Sequence, residues 1–314
     1  MFAICIEASH SKGMGHLFRM LNFSKFLKTK NKDFIFIINN NEELINILKS
    51  HDIPFEIANL DDDKRNWEQN IALRYNIVYW VNDRLETTKQ HALNVNQSNI
   101  KLITFDDFGA GANLSDISIY GLANKGKCQG KKILQGVEYL ILNEEIDLYK
   151  KIRTGVKKIL VSLGGSDTYG VTIKILKLLK KHHIQATIHI GPSFLHKNEL
   201  KQELTSDYKV KAYTPSLIKE FSNYDLAFTG GGITPFEANA SGLPCLIIAN
   251  ELFEIENGYF LESVNSSRFL GYYQDIDEAI FSNLNCLDIN LMSQNGMQIL
   301  NTNAVEKIYE NIIN

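Results

Sequence analysis

The apolar positions of this chain fall into short continuous runs separated by stretches of helical spacing. Residues 2–8, 33–38 (DFIFII), 54–58, 77–81 (IVYWV) and 101–105 (KLITF) read as strands. Between them, residues 16–28 place Leu17, Met20, Leu21, Phe23, Phe26 and Leu27 on one broad helical face. Residues 41–49 turn Leu44, Ile45 and Leu48 inward, and residues 61–75 open with acids suited to a helix N-terminus. Strands separated by helices of this length predict a parallel sheet covered on both faces. In such sheets ligands bind beyond the carboxyl ends of the strands. Those ends carry the segment 9–16, Asn82-Asp83 and Asp106-Asp107.

Residues 109–136 are rich in glycine and dotted with lysine (Lys125, Lys127, Lys131, Lys132), and read as an irregular crossing with one short strand at 117–120. A short charged helix at 144–151 marks the boundary, giving an N-terminal domain over 1–150 and a C-terminal domain over 151–314. The second half repeats the alternation. Strands are expected at 158–163, 186–190, 208–213, 225–228 and 244–249, and helices after Asp167, from Pro215, over 234–241 and from Glu254. A last helix near 301–313 folds back over the molecule. The fold class expected is α/β, two Rossmann-like domains facing a cleft.

Composition narrows the function. Of 314 residues, 44% are hydrophobic and 22% charged, as in a globular domain. A net charge of −3 offers no basic excess to neutralise phosphates, so nucleic acid is not an expected partner. The four cysteines are far apart and match no metal or redox spacing, and Cys5 and Cys245 lie in apolar strands. Buried free thiols in a reducing cytosol are the expected state. No basic segment followed by a long apolar run precedes the first strand, and no stretch reaches membrane-spanning length. A cytoplasmic chain without stable membrane insertion is expected.

Four constellations carry possible chemistry. The first is Gly13, Gly15, His16 and Arg19, a glycine-rich passage from strand to helix. Its glycines admit a ligand close to the main chain, and His16 falls in the first helical turn with a side chain suited to proton transfer near neutral pH. The plainer alternative is a packing or capping histidine. The Lys-Ser/Thr ending of a P-loop is missing, and no acid closes the second strand as a dinucleotide fingerprint requires. The second is Gly164-Gly165-Ser166-Asp167, where Gly165 and Ser166 suit a phosphate, against a simple helix cap as the alternative. The third is Gly230-Gly231-Gly232-Ile233-Thr234-Pro235-Phe236-Glu237. Gly231, Gly232, Ile233 and Thr234 have the form of a diphosphate cradle, with Glu237 one turn on to accept from ribose hydroxyls. Asn257 on the next helix is a further contact to phosphate or sugar, or else a solvent-facing residue. The fourth is the acid pairs 82–83 and 106–107. Neighbours on a strand point to opposite faces, so one of each pair faces the site. No metal cluster is expected.

Together, GMGHLFR (Gly13 to Arg19), ITFDD (Ile103 to Asp107), SLGGSD (Ser162 to Asp167) and GGGITPFEANASGLP (Gly230 to Pro244) resemble the nucleotide-sugar hydrolases of pseudaminic acid biosynthesis. These are relatives of the two-domain GT-B glycosyltransferases of the MurG type. The resemblance implies metal-independent, inverting hydrolysis of a UDP-activated 2,4-diacetamido-trideoxyhexose without a cofactor. By position, His16 resembles the catalytic base, and the C-terminal glycine loop with Glu237 the UDP site. Asp83 or Asp107 orients the imidazole or holds sugar groups. The chain departs from the pattern at Ile6-Glu7-Ala8, at 82–87 and at Asn143, positions on the sugar side, so the resemblance does not carry the identity of the hexose. The alternatives are a GT-B glycosyltransferase, in which an acceptor hydroxyl replaces water, and a non-catalytic nucleotide-sugar-binding protein.

Overall fold

The structure is a computed structural model that describes residues 1–7, 15–62, 66–97, 99–122, 128–212 and 216–314. It divides into two compact units, Met1–Leu142 with Asn303–Asn314, and Asn143–Thr302. The division thus falls eight residues before the expected boundary at 150, and the last helix belongs to the first unit. Its apolar face explains this, because Ile308, Tyr309 and Ile312 are buried in the first unit's core.

In chain order, unit 1 contains β1 (Phe2–Ile6), α1 (Gly15–Thr29), β2 (Phe34–Ile38), α2 (Glu42–Ser50), β3 (Phe55–Ile57), α3 (Trp67–Tyr75), β4 (Tyr79–Asp83), α4 (Lys89–Asn96), β5 (Lys101–Phe105), β6 (Ile117–Tyr120) and β7 (Lys132–Gln135). The strands form one parallel sheet in the order β3-β2-β1-β4-β5-β6-β7. β1 and β2 are apolar and buried at every position, as strands covered on both faces must be. Leu17, Met20, Phe23 and Leu27 of α1 pack on Phe2, Ile4 and Ile6. Ala3, Cys5, Trp80 and Leu102 face the opposite way, toward Ile71 and Ala72 of α3 and Ala92 and Val95 of α4. Asn41 caps α2, its side chain accepting from the Leu44 N–H at 3.0 Å.

Unit 2 contains β8 (Ile159–Ser162), α5 (Val171–Lys181), β9 (Ala186–His189), α6 (Lys197–Glu203), β10 (Tyr208–Lys211), α7 (Ile218–Phe221), β11 (Leu226–Gly230), α8 (Thr234–Ala240), β12 (Cys245–Ala249), α9 (Ile255–Ser263), β13 (Ser267–Tyr272) and α10 (Ile289–Ile299), after which α11 (Ala304–Ile313) returns to unit 1. The sheet order is β10-β9-β8-β11-β12-β13. Each sheet therefore reverses its direction of growth once, between β1 and β4 and between β8 and β11. Open α/β sheets leave their ligand crevice at such a point.

Several elements depart from the pattern. β7, expected to be irregular, is an edge strand with three of its four residues exposed, which hides its period. α6, β13 and α10 were not expected; α10 is announced only by Asp288, which accepts from the Leu291 N–H at 3.0 Å. α3 begins at Trp67 rather than among the preceding acids. β4 extends through Asn82 and Asp83 instead of ending at Val81.

Candidate active site

In unit 1, α1 delivers His16 and Arg19 to the carboxyl edge of the sheet, where β4 ends in Asp83. Ile6 of β1 pairs with Asp83 across the reversal point. His16 Nδ1 lies 2.6 Å from Asp83 Oδ1, with the His16 side chain 12% exposed and that of Asp83 fully buried. Arg19 Nε donates to Asp83 Oδ2 at 2.8 Å and Nη2 to Oδ1 at 2.5 Å. Its Nη1 donates to Asp106 Oδ2. The Asp106 Oδ1 atom accepts in turn from the Gly121 N–H at 3.1 Å.

Charges explain the arrangement. Burial works against the Asp83 carboxylate, but Arg19 and His16 beside it more than reverse that and hold its pKa down at about 2. Burial likewise opposes the Arg19 cation, and Asp83 and Asp106 outweigh it and raise its pKa. An ionised Asp83 only accepts, so the His16 Nδ1 atom carries the proton of their hydrogen bond. The neutral ring then presents Nε2 as a lone pair, the form that removes a proton.

The acid pairs split as adjacent residues do, though not as the sequence alone suggests. Asp83 holds the imidazole. Asp107, the other candidate, accepts from the Thr87 N–H at 3.0 and 3.1 Å, from the Thr87 hydroxyl and from the Gly109 N–H at 2.9 Å. These hydrogen bonds hold the turn after β4, and its neighbour Asp106 takes the place beside Arg19. Asp106 has φ 44°, a left-handed conformation open to aspartate, which breaks the strand's alternation. Gly13 lies outside the described residues, as do Lys125 and Lys127; Gly15 opens α1.

In unit 2, the loops after β8 and β11 lie at the second reversal point. Asp167 accepts from the N–H groups of Val171 at 2.8 Å and Thr172 at 2.9 Å, and so holds the start of α5. That leaves Gly165 exposed and Ser166 half-buried, with Ser166 Oγ 3.0 Å from the Thr168 hydroxyl. Gly231 is held from both sides. Its N–H donates to Glu254 Oε2 at 3.3 Å, and its carbonyl accepts from Asn257 Nδ2 at 2.8 Å. Glu254 also accepts from the Asn250 N–H at 2.7 Å. The sequence reading missed this carboxylate, although its place three residues after Glu251 is the spacing of a capping box.

Asn257 is 1% exposed, not solvent-facing. Its Oδ1 atom, together with Asn250 Oδ1 and Thr229 Oγ1, is buried without a hydrogen-bond partner. The N–H groups of Gly232 and Ile233 and the side chains of Thr234 and Glu237, all on half-buried residues, also have no partner among the described residues. Burial pushes the Glu237 carboxyl up to about 7. Orphaned buried polar atoms of this kind are costly unless a ligand or water satisfies them.

Among the described residues no three His, Cys, Asp or Glu side chains gather as a metal site. No helix there is long and apolar enough to cross a membrane. Cys5 and Cys245 are buried free thiols that burial pushes up to about 12.

No protein-family profile matches the chain. The uncharacterized protein MJ1062 of Methanocaldococcus jannaschii is 25% identical over 347 aligned positions, covering 97% of this chain and 71% of that one. The spore coat polysaccharide biosynthesis protein SpsG of Bacillus subtilis is 23% identical, over 78% of this chain and 76% of that one. Among solved structures, MurG of Acinetobacter baumannii superposes with a TM-score of 0.71 at 12% identity, covering 99% of both chains. HepE of Anabaena, solved in complex with UDP, gives a TM-score of 0.68 at 12% identity over the whole of both chains. The two parallel α/β units are thus those of the GT-B type of glycosyltransferase fold.

Proposed function

We propose that the chain is a nucleotide-sugar enzyme in which His16 takes a proton from the nucleophile that displaces a nucleoside diphosphate from an anomeric carbon. One observation carries the reading: a part-exposed imidazole whose Nδ1 is held 2.6 Å from a buried, ionised carboxylate. That is the arrangement of a general base oriented by an acid, and such a base contributes roughly a hundred- to ten-thousand-fold. In unit 2, the nucleotide takes the glycine loops. Gly165 and Ser166 contact phosphate, and the N–H groups of Gly232 and Ile233, with Thr234, stabilise the charge on the leaving diphosphate. Glu237 accepts from the ribose hydroxyls, and Asn257 uses its Oδ1 on the sugar. Asp107 acts only by holding the 84–87 turn.

The nucleophile is an acceptor hydroxyl, which makes the reaction glycosyl transfer. Support comes from the likeness to MurG and to SpsG, the latter named for polysaccharide biosynthesis. A second reading replaces the hydroxyl by water, giving inverting hydrolysis of a UDP-2,4-diacetamido-trideoxyhexose. It is favoured by the run Gly15-His16-Leu17-Phe18-Arg19 with the later glycine motifs. Incubation with a panel of UDP- and CMP-sugars in ¹⁸O water decides between them. Label in the sugar C1 hydroxyl identifies hydrolysis, whereas turnover that waits for an added acceptor identifies transfer. Label in the phosphate, or full activity in His16→Asn, overturns both.

A further inference from the structure

The proposed step leaves unused a buried acid and a buried histidine on the other face of β4. Glu68 of α3 is 1% exposed and His91 of α4 fully buried. His91 is flanked by Trp67 and Trp80, with ring centroids 5.4 and 5.7 Å away. Its Nδ1 lies 2.8 Å from Glu68 Oε1, and Glu68 Oε2 accepts from Asn94 Nδ2 at 3.0 Å. Its Nε2 lies 3.3 Å from Asn82 Oδ1.

The donors fix where the protons are. An indole N–H only donates, so Trp80 Nε1, 3.0 Å from Asn82 Oδ1, requires that atom to be the amide oxygen. The Asn82 amide nitrogen then donates to the Thr87 hydroxyl at 3.0 Å, and that hydroxyl donates to Asp107. Since Asn82 Oδ1 accepts, His91 Nε2 must carry a hydrogen. The contact between Nδ1 and Glu68 then needs a proton of its own, on the ring or on the carboxyl. Without it, a lone pair would face a buried carboxylate, which is strongly unfavourable.

This chain of bonds ends on the residues next to the candidate active site. Asn82 precedes Asp83, and Asp107 follows Asp106. One member of each pair belongs to the Glu68–His91 network and the other to the His16–Arg19 network. We propose that Glu68 and His91 are positioning residues for the base. The proton they share fixes Asn82 and the 84–87 turn, and thereby the direction in which β4 presents Asp83 to His16. The inference rests on the reading of His16 as the base.

The test compares Glu68→Ala, His91→Phe and Glu68→Gln in the full chain. A glutamine can donate to His91 Nδ1 and accept from Asn94, so it replaces the shared proton with a covalently held one. Three quantities are read: kcat and KM with a nucleotide sugar, the low-field Nδ1–H proton resonance of His16, and thermal unfolding. Glu68→Ala and His91→Phe should lower kcat about a hundred-fold, the effect of a reacting group misplaced by an ångström, with KM unchanged. In the folded protein the His16 resonance should broaden or vanish. Glu68→Gln should keep both. Folded Glu68→Ala and His91→Phe proteins that retain kcat and the resonance overturn the proposal, as does a Glu68→Gln protein as impaired as Glu68→Ala. If either disruptive variant fails to fold, Asn94→Ala, which removes one bond to Glu68, is read the same way. If the wild type turns over no nucleotide sugar, the function proposed above falls. The resonance then decides alone, its loss supporting the positioning role and its persistence overturning it.

Discussion

In unit 1 the four side chains at the candidate base are bonded in one chain, His16 to Asp83, Asp83 to Arg19, Arg19 to Asp106, Asp106 to the backbone of residue 121, although Arg84 beside them keeps its Nε and Nη1 atoms buried without a hydrogen-bond partner. In unit 2 the polar groups at the corresponding edge are left short of partners. Asn257 Oδ1, Asn250 Oδ1 and Thr229 Oγ1 are orphaned, and Glu237 stands alone with its pKa raised. The topology is the same, since both sets gather where a parallel sheet reverses its growth. What differs is when the bonds are made. The chain from His16 to Asp106 is complete before any ligand arrives, as suits a base that must be oriented in advance. Unit 2 keeps acceptors and N–H groups in reserve, as suits a surface that a ligand completes.

The comparison breaks most sharply at Arg19. Arg19→Met removes the cation from between Asp83 and Asp106 and leaves two buried carboxylates without their main partner. A loss of about 3–5 kcal/mol in unfolding free energy is expected, measured by urea denaturation. The pH dependence gives the sign. Asp83 has its folded pKa lowered to about 2, below the unfolded value of about 3.9, so its stabilisation is complete above about pH 4 and disappears as pH falls through about 2. In Arg19→Met that acid loss should begin at higher pH. A variant as stable as the wild type would mean that the unit 1 network is not interlocked, and the contrast with unit 2 would vanish.

Part of this contrast was legible in the sequence, and the choice between the two acids of 106–107 was hidden by one backbone angle. The apolar runs gave the central strands, and the placing of His16 and Arg19 one turn apart gave their common face. The choice between Asp106 and Asp107 was not legible. β4 and β5 pair in register, Asn82 with Thr104, so alternation puts Asp107 on the side of Asp83 and Asp106 on the other. The left-handed turn at Asp106 reverses both. Nor does the sequence mark Glu68 and His91 as partners, because they meet only when α3 and α4 pack together. In unit 2 the glycines announced the loop, but the carboxylate that holds it, Glu254, reads locally as a helix start. α6, with one buried residue in seven, carries too weak a period to be seen.

A middle-sized effect sharpens the unit 2 side. The Glu237 carboxyl, pushed up to about 7, is about half protonated at neutral pH in the free protein. If ribose hydroxyls donate to it, UDP binds the ionised form. Affinity should then fall about tenfold for each pH unit well below 7 and level off above it. The sign for stability is opposite: this group lowers the stability of the free protein as pH rises from about 4.5 to about 7. Isothermal titration of UDP from pH 5.5 to 8.5 measures the first, and Glu237→Gln should bind weakly and flatten the profile. A wild-type affinity independent of pH would remove Glu237 from the nucleotide site.

The smallest expected effect separates a glycine kept for a ligand from one kept for the fold. At Gly231 a Cβ would come within 2.7 Å of the Glu254 Cβ, so any substitution there disturbs the loop before binding is considered. Gly164 has φ +94° and is strained by any side chain. Gly165 has neither constraint: its backbone needs no left-handed conformation, and nothing lies within 4 Å of an added Cβ. Gly165→Ala should therefore leave unfolding free energy within about 0.5 kcal/mol of the wild type. If the main chain there meets a phosphate, the added methyl occupies the space the phosphate needs, and UDP affinity should fall several-fold while stability does not move. Equal affinity in Gly165→Ala and wild type would assign the β8 loop to the fold alone. The nucleotide would then be left to the loop after β11, and the reserve of unmet polar groups in unit 2 would be confined to that single turn.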